Sequence, residues 1–319
     1  MRIKTLYFTD KGEALAERLK DGLSGHDVTV VPKGVPLAFV CGDAFVDNEA
    51  LVFIGAAGIA VRAIAPFVSD KLKDPPVIVI DENGNYVVPI LSGHVGGANS
   101  LALEVADILE AQPVITTATD VSGAFPVDVF AKENELRIAN RDGIAKVSSS
   151  ALGGKPVTIC IKDYPPEGPV DVLIADEAAA KGLRDSAKIV LCPKQYAIGM
   201  GCRKDKPFDD LRAFAEEVLA ENGIDISDAG CIATIDIKKD EEGLKRLSQA
   251  WRMPLITFDA GLLAKAEGSF SHSDTVMEKV GVDNVCERAA VLAAGRGSQI
   301  IVKKTARDGM TIAVAERKI

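Results

Sequence analysis

The chain has 319 residues, 47% hydrophobic and 26% charged, which is long enough for two domains and ordinary for a globular fold. A formal net charge of −9 argues against a basic, phosphate-contacting face and so against a nucleic-acid partner. A local cationic pocket for a polyanionic small molecule remains compatible with it.

Strands and helices alternate from the start. The segment IKTLYF (3–8) reads as a strand, 11–23 as an amphipathic helix rather than a signal peptide, and DVTVV (27–31) as a second strand. The most apolar run, 51–68, carries Gly55, Gly58, Arg62 and Pro66, so it reads as strand, turn and helix and not as a membrane span. PPVIVIDENGNYVVPIL (75–91) predicts two strands around an Asn83-Gly84 turn. A glycine-rich loop and helix (91–109) follow, then the strand PVIT (113–116).

From 133 to 195 the pattern weakens to a helix at 141–152 and strands at 155–161, 170–175 and 188–194, with a turn-rich break at 163–169. A second clear alternation runs from 196 to the end, with helices near 240–250, 274–280 and 285–294, the middle one capped by Ser273. The expected fold class is α/β, two α/β domains with mostly parallel sheets (1–132 and 196–319) joined by a smaller segment, 133–195. Cys41, Cys160, Cys192, Cys202, Cys231 and Cys286 form no C-x-x-C and no Cys/His zinc spacing, so reduced thiols, no metal site and a cytoplasmic setting are expected. Nothing in the sequence indicates an oligomer.

Chemistry concentrates in a few loops. In LSGHVGGAN, residues Gly93, Gly96 and Gly97 let a backbone approach a ligand closely, and the helix that follows offers N–H donors for an anion or oxyanion. His94 in this loop is a candidate general base or acid, with Ser92 and Asn99 as polar company. A helix cap and a plain turn explain the same residues. TTATD (116–120) places Thr116, Thr117, Thr119 and Asp120 after a strand, more polar groups than a cap needs. Gly58 and Arg62 in GAAGIAVR, and Glu82 beside Asp81, also fall at strand ends, where open α/β sheets bind ligands. In the last domain, Gly199 and Gly201 begin like a dinucleotide fingerprint, but Lys204 replaces its third glycine. Arg203, Lys204 and Lys206 instead offer cations for carboxylates, with Thr234, Lys238 and Glu241 nearby in TIDIKKDE and His272 in SHSDTV.

Taken together, GIAVR, DENGN, LSGHVGGAN, TTATD, GMGCR, ATIDIKKDE and CERAAVLAAG resemble, in order, the signatures of the CbiG family of cobalamin biosynthesis. The C-terminal part is also similar to CobE. The resemblance implies hydrolysis of the ring A δ-lactone of cobalt-precorrin 5A, with loss of acetaldehyde to give cobalt-precorrin 5B. It implies no nucleotide or redox cofactor, the cobalt being carried by the substrate. His94 is then the first choice as base, with Asp120 and Glu82 as competitors and a covalent Ser92 route as a variant. Arg62, Arg203, Lys204 and Lys238 would pair the macrocycle's carboxylates in a cleft between the two larger domains. A non-catalytic corrinoid carrier is the alternative.

Overall fold

A computed structural model of the chain describes residues 1–161, 168–176, 187–272, 277 and 280–318. The predicted cap Ser273, most of the predicted 274–280 helix and most of the 163–169 break lie outside these residues.

The N-terminal unit opens with β1 (Arg2–Tyr7), α1 (Asp10–Gly22) and β2 (Asp27–Val30). Then come α2 (Leu37–Asp47), β3 (Ala50–Ile54), α3 (Ala57–Ile64), β4 (Val77–Ile80), β5 (Tyr86–Leu91), α4 (Ala98–Leu109) and β6 (Gln112–Pro113). The sheet order is β2-β1-β3-β4-β5-β6. Strand alternation explains its three layers. In β3, Ala50, Val52 and Ile54 enter a core with Ala16, Leu19 and Leu101, while Leu51 and Phe53 enter another with Val40, Ala44 and Ala60.

Direction matters more than order here. β1, β2, β3 and β4 are parallel, but the Asn83-Gly84 turn, with Gly84 at φ 73°, reverses the chain. β5 therefore runs antiparallel to β4, pairing Val77 with Leu91 and Ile80 with Val87, and β6 runs parallel to β5. Asp81 serves that turn, its carboxylate accepting the N–H groups of Asn83, Asn85 and Tyr86.

Two short helices, α5 (Ala118–Val121) and α6 (Val127–Glu133), lead to a second sheet. Its strands are β7 (Leu136–Ile138), β8 (Ile159–Ile161), β9 (Val170–Ile174) and β10 (Ala187–Pro193), in the order β7-β10-β9-β8. Val127 and Ala131 of α6 join the core between this sheet and α7 (Asp142–Leu152), so α6 packs with the middle unit.

The C-terminal sheet has order β13-β12-β11-β15-β14. It comprises β11 (Tyr196–Cys202), β12 (Ala229–Ile235), β13 (Leu255–Phe258), β14 (Gln299–Arg307) and β15 (Met310–Glu316). With it pack α8 (Phe208–Glu221), α9 (Glu242–Ala250), α10 (Ala260–Ala264) and α11 (Cys286–Ala294). Helix α9 lies along the edge of the first sheet where β1, β3 and β4 begin. Arg2 meets Glu242 at one end of it and Arg246 meets Asp47 midway. Past its end, Arg252 donates to Asn48 Oδ1 and to the carbonyls of Leu72, Lys73 and Asp74.

Candidate active site

The reversal at Asn83-Gly84 brings the loop after β5 and the loop after β6 to one edge of the first sheet. There His94 Nε2 lies 2.8 Å from Asp120 Oδ2 and 2.9 Å from Thr119 Oγ1. Asn99 Nδ2 donates to Asp120 Oδ2 at 2.6 Å and to Thr117 Oγ1 at 2.9 Å. The two polar loops thus form one cluster.

The glycines fit the same packing. A Cβ on Gly93 would lie 2.7 Å from Asn99 Oδ1, and one on Gly96 would lie 2.6 Å from the Ser92 carbonyl oxygen. Gly97 caps α4 at φ 93°, where a side chain is strained. Asn99 Oδ1 is buried and has no partner among the described residues. Flipping the amide would set that oxygen against the Asp120 carboxylate, so the orientation is fixed and the acceptor stays open.

Three expectations change at this loop. The N–H groups of Gly97, Ala98 and Asn99 bond to the carbonyls of His94, Ser92 and Gly93, so the first donors of α4 close the loop instead of facing a ligand. Among the described residues, those of Gly93, Val95 and Gly96 have no partner. Ser92, at φ 53°, donates its Oγ to the Asp74 carbonyl at 2.7 Å, a structural tie and not the posture of a nucleophile. Glu82, Gly58 and Arg62 follow β4 and β3 at the far edge of the sheet, where the antiparallel return of β5 separates them from His94. Glu82, expected as a competitor of His94 for the role of base, therefore does not share its site. Thr116 precedes the contacting residues and forms no side-chain bond with them.

Two residues of α6 went unnoticed in the sequence. Asp128 Oδ2 is 3.8 Å from His94 Nδ1, on the ring's other side, and Lys132 Nζ donates to the Val95 carbonyl at 2.7 Å. Desolvation, then the Arg252 charge, holds the Lys132 pKa below the usual lysine range. The available signal was their spacing, four residues apart and one helical turn, beside the apolar pair Val127 and Ala131.

The predicted C-terminal residues serve mainly structure. A Cβ on Gly199 would fall 1.8 Å from the Cys286 carbonyl oxygen, so this glycine lets α11 rest on β11. Gly201 is crowded by Thr311, and Thr234 is fully buried. Lys238 donates to the buried Glu241 at 2.7 Å, and Glu241 also accepts the Asp205 N–H. Arg203 packs on Gly309, with its own N–H bonded to the Gly309 carbonyl. The loop of Arg203 and Lys204 lies towards the Glu242 end of α9, whereas His94 lies beyond the Arg252 end. A nine-residue helix is about 14 Å long, and this one packs against α2 between them.

Burial opposes charge on Glu241, but the Lys238 hydrogen bond and the Asp205 N–H outweigh it and hold its pKa below the usual carboxylate range. A depressed folded-state pKa stabilises above the unfolded value, about 4.3, and that stability is lost as pH falls through the folded pKa. Lys238→Met, which leaves Glu241 buried and unpaired, is expected to cost about 2 kcal/mol at neutral pH. Urea denaturation from neutral to acid pH checks this, and the deficit should shrink towards the acid end. The other two histidines lie elsewhere, His26 against Glu104 and His272 near Asp283. Burial pushes the Cys286 thiol up to about 11. Among the described residues no cluster has the makings of a metal site, and no helix is long and apolar enough to cross a membrane.

An α/β chain whose polar loops gather a histidine, carboxylates and hydroxyls at one sheet edge has the equipment of a hydrolase. Residues 40–120 match the family described as Cobalamin synthesis G N-terminal, and 196–315 the one described as Cobalamin synthesis G C-terminus. The cobalt-precorrin-5A hydrolase of Salmonella typhimurium is 35% identical over 95% of this chain and 94% of its own length. That of Priestia megaterium is 31% identical over 85% and 79%. Protein CobE of a Sinorhizobium species is 31% identical over 41% of this chain and 85% of its own. The chain belongs to the CbiG family of cobalamin biosynthesis.

Proposed function

We propose that the chain hydrolyses the ring A δ-lactone of cobalt-precorrin 5A and releases acetaldehyde, giving cobalt-precorrin 5B, with no nucleotide or redox cofactor of its own. The observation that supports this most is the cluster at His94, with Asp120 and Thr119 at Nε2 and Asn99 holding Asp120 in place. The similarity to proteins named cobalt-precorrin-5A hydrolase supports the substrate.

Lactone hydrolysis needs a base for the attacking water and donors for the oxyanion that forms. His94 is the base that takes the water's proton. The unpaired N–H groups of Gly93, Val95 and Gly96 are the donors available to the oxyanion. Ring opening leaves a hydroxyl on C20. When its proton is removed, the C–O bond becomes a carbonyl, the C20–C1 bond breaks and its electron pair passes to the macrocycle. Lys132 is the cation at this edge suited to a substrate carboxylate.

The test is anaerobic incubation with cobalt-precorrin 5A, trapping volatile aldehyde and weighing the corrinoid. Acetaldehyde with the matching mass loss is expected, whereas bound but unchanged substrate would make the protein a carrier. Arg203→Ala and Lys204→Ala should change KM less than about threefold, since neither reaches the His94 edge, and a larger rise would bring that loop back to the substrate.

A further inference from the structure

The glycine-rich loop does not fix the direction of its own N–H groups. His94, Val95, Gly96 and Gly97 form a β-turn, closed by the hydrogen bond from the Gly97 N–H to the His94 carbonyl at 3.0 Å. Its central peptide joins Val95 to Gly96, and a rotation of this peptide by about 180° interconverts type I and type II turns. Glycine at the third position opens the second form, which needs a positive φ there. Neither Val95 nor Gly96 has a positive φ, so the turn does not hold its type II form. A contact from outside the turn accounts for the choice: Lys132 Nζ, on helix α6 of the middle unit, donates to the Val95 carbonyl at 2.7 Å. We propose that Lys132 is a positioning residue that locks the central peptide of this turn and so aims the Gly96 N–H as a donor for the oxyanion.

Peptide geometry sets the direction. A trans peptide places its C=O and N–H on opposite sides, and no cis bond occurs among the described residues. A Val95 carbonyl held towards α6 therefore turns the Gly96 N–H away from it. That N–H has no partner among the described residues, which leaves it available. An ammonium is a stronger donor than a neutral group, and polarising the carbonyl strengthens the N–H of the same peptide. The lysine is itself placed by packing, since Val127 and Ala131 of its helix sit in the core of the second sheet. Among the described residues Lys132 forms no ion pair, so the Val95 carbonyl is the acceptor that holds its ammonium. Its remaining N–H groups stay free for a substrate carboxylate, a contact that acts on KM, whereas the lock acts on kcat. The use of the Gly96 N–H rests on the proposed lactone hydrolysis, but the state of the turn is observable without substrate.

Val-Gly occurs twice in the chain, at 95–96 and 280–281. Labelling valine carbonyls with 13C and glycine with 15N thus leaves two correlations in the full-length protein, and Val95→Ile assigns them. Lys132→Met keeps the stem and removes the donor, so the 95–96 correlation should move or double while the other stays. Lys132→Arg, which keeps a charged donor, should hold it single. With cobalt-precorrin 5A, Lys132→Met should lower kcat about 10- to 100-fold, less than outright loss of an oxyanion donor, and Lys132→Arg should recover part of it. A 95–96 signal that Lys132→Met leaves in place, a rise in KM at unchanged kcat, or an Arg variant no better than Met would overturn the proposal. Should the Met variant not fold, Lys132→Gln, with a neutral donor, takes its place, and smaller changes in the same direction are expected. A wild type that leaves cobalt-precorrin 5A unchanged would refute the proposed reaction, while the two correlations still judge the lock.

Discussion

Replacing His94 with alanine is expected to lower kcat for acetaldehyde release about 1,000-fold, within the usual range for loss of a positioned acid or base. The reason is its unique placement: one imidazole with a carboxylate towards each ring nitrogen and a hydroxyl at Nε2. Neither Asp120 nor Thr119 can replace it, because both are oriented by contacts that run through the ring or Asn99. KM should move little, since no substrate carboxylate is assigned to this side chain. Single-turnover release of aldehyde, with corrinoid binding followed by absorbance, separates the two effects. His26→Ala and His272→Ala, remote from the cluster, should stay within about twofold. A His94→Ala enzyme of near-normal rate would move the base to Asp120.

The loops that meet were legible because their residue types have few other uses together. Gly93 and Gly96 are required by close packing on Asn99 and Ser92, and the hydroxyls of TTATD exceed what one cap consumes. Their opposite placement from Gly58, Arg62 and Glu82 was also within reach. The Asn83-Gly84 hairpin was readable, and a hairpin reverses which edge the following loop occupies. Treating all strand ends as one edge ignored that reversal. Helix α2 was missed because its residues 37–47 are apolar on nearly every side, with no polar face to mark a helical period. Asp128 and Lys132 escaped for another reason: their partners are 34 and 37 residues away, and Val95 is recognised through its carbonyl, which sequence cannot mark. Gly199 looked like a phosphate loop because close backbone approach, whether by a ligand or by α11, makes the same demand.

The other large effect is expected at Arg252, where the C-terminal unit meets the loop system. This residue holds φ at 52°, a left-handed conformation that costs a non-glycine residue about 1 kcal/mol. It does so because its guanidinium serves four oxygens of the N-terminal unit, those of Asn48, Leu72, Lys73 and Asp74. Burial lowers its pKa to about 10, which still leaves the group charged at neutral pH. Arg252→Gly relieves the backbone but strands those acceptors, so a net loss of about 4 kcal/mol is expected, read from urea denaturation. Arg252→Leu should lose more, because it keeps the strain as well. The Asp74 carbonyl links this contact to catalysis, since it also accepts the Ser92 hydroxyl at the root of the glycine-rich loop. Freed from Arg252, the 72–74 segment no longer fixes Ser92, and His94, two residues on, loses its register with Asp120. A fall in kcat of about tenfold should therefore accompany the loss of stability, even under conditions where the Gly variant is fully folded. Normal kcat in that folded variant would confine Arg252 to holding the units together.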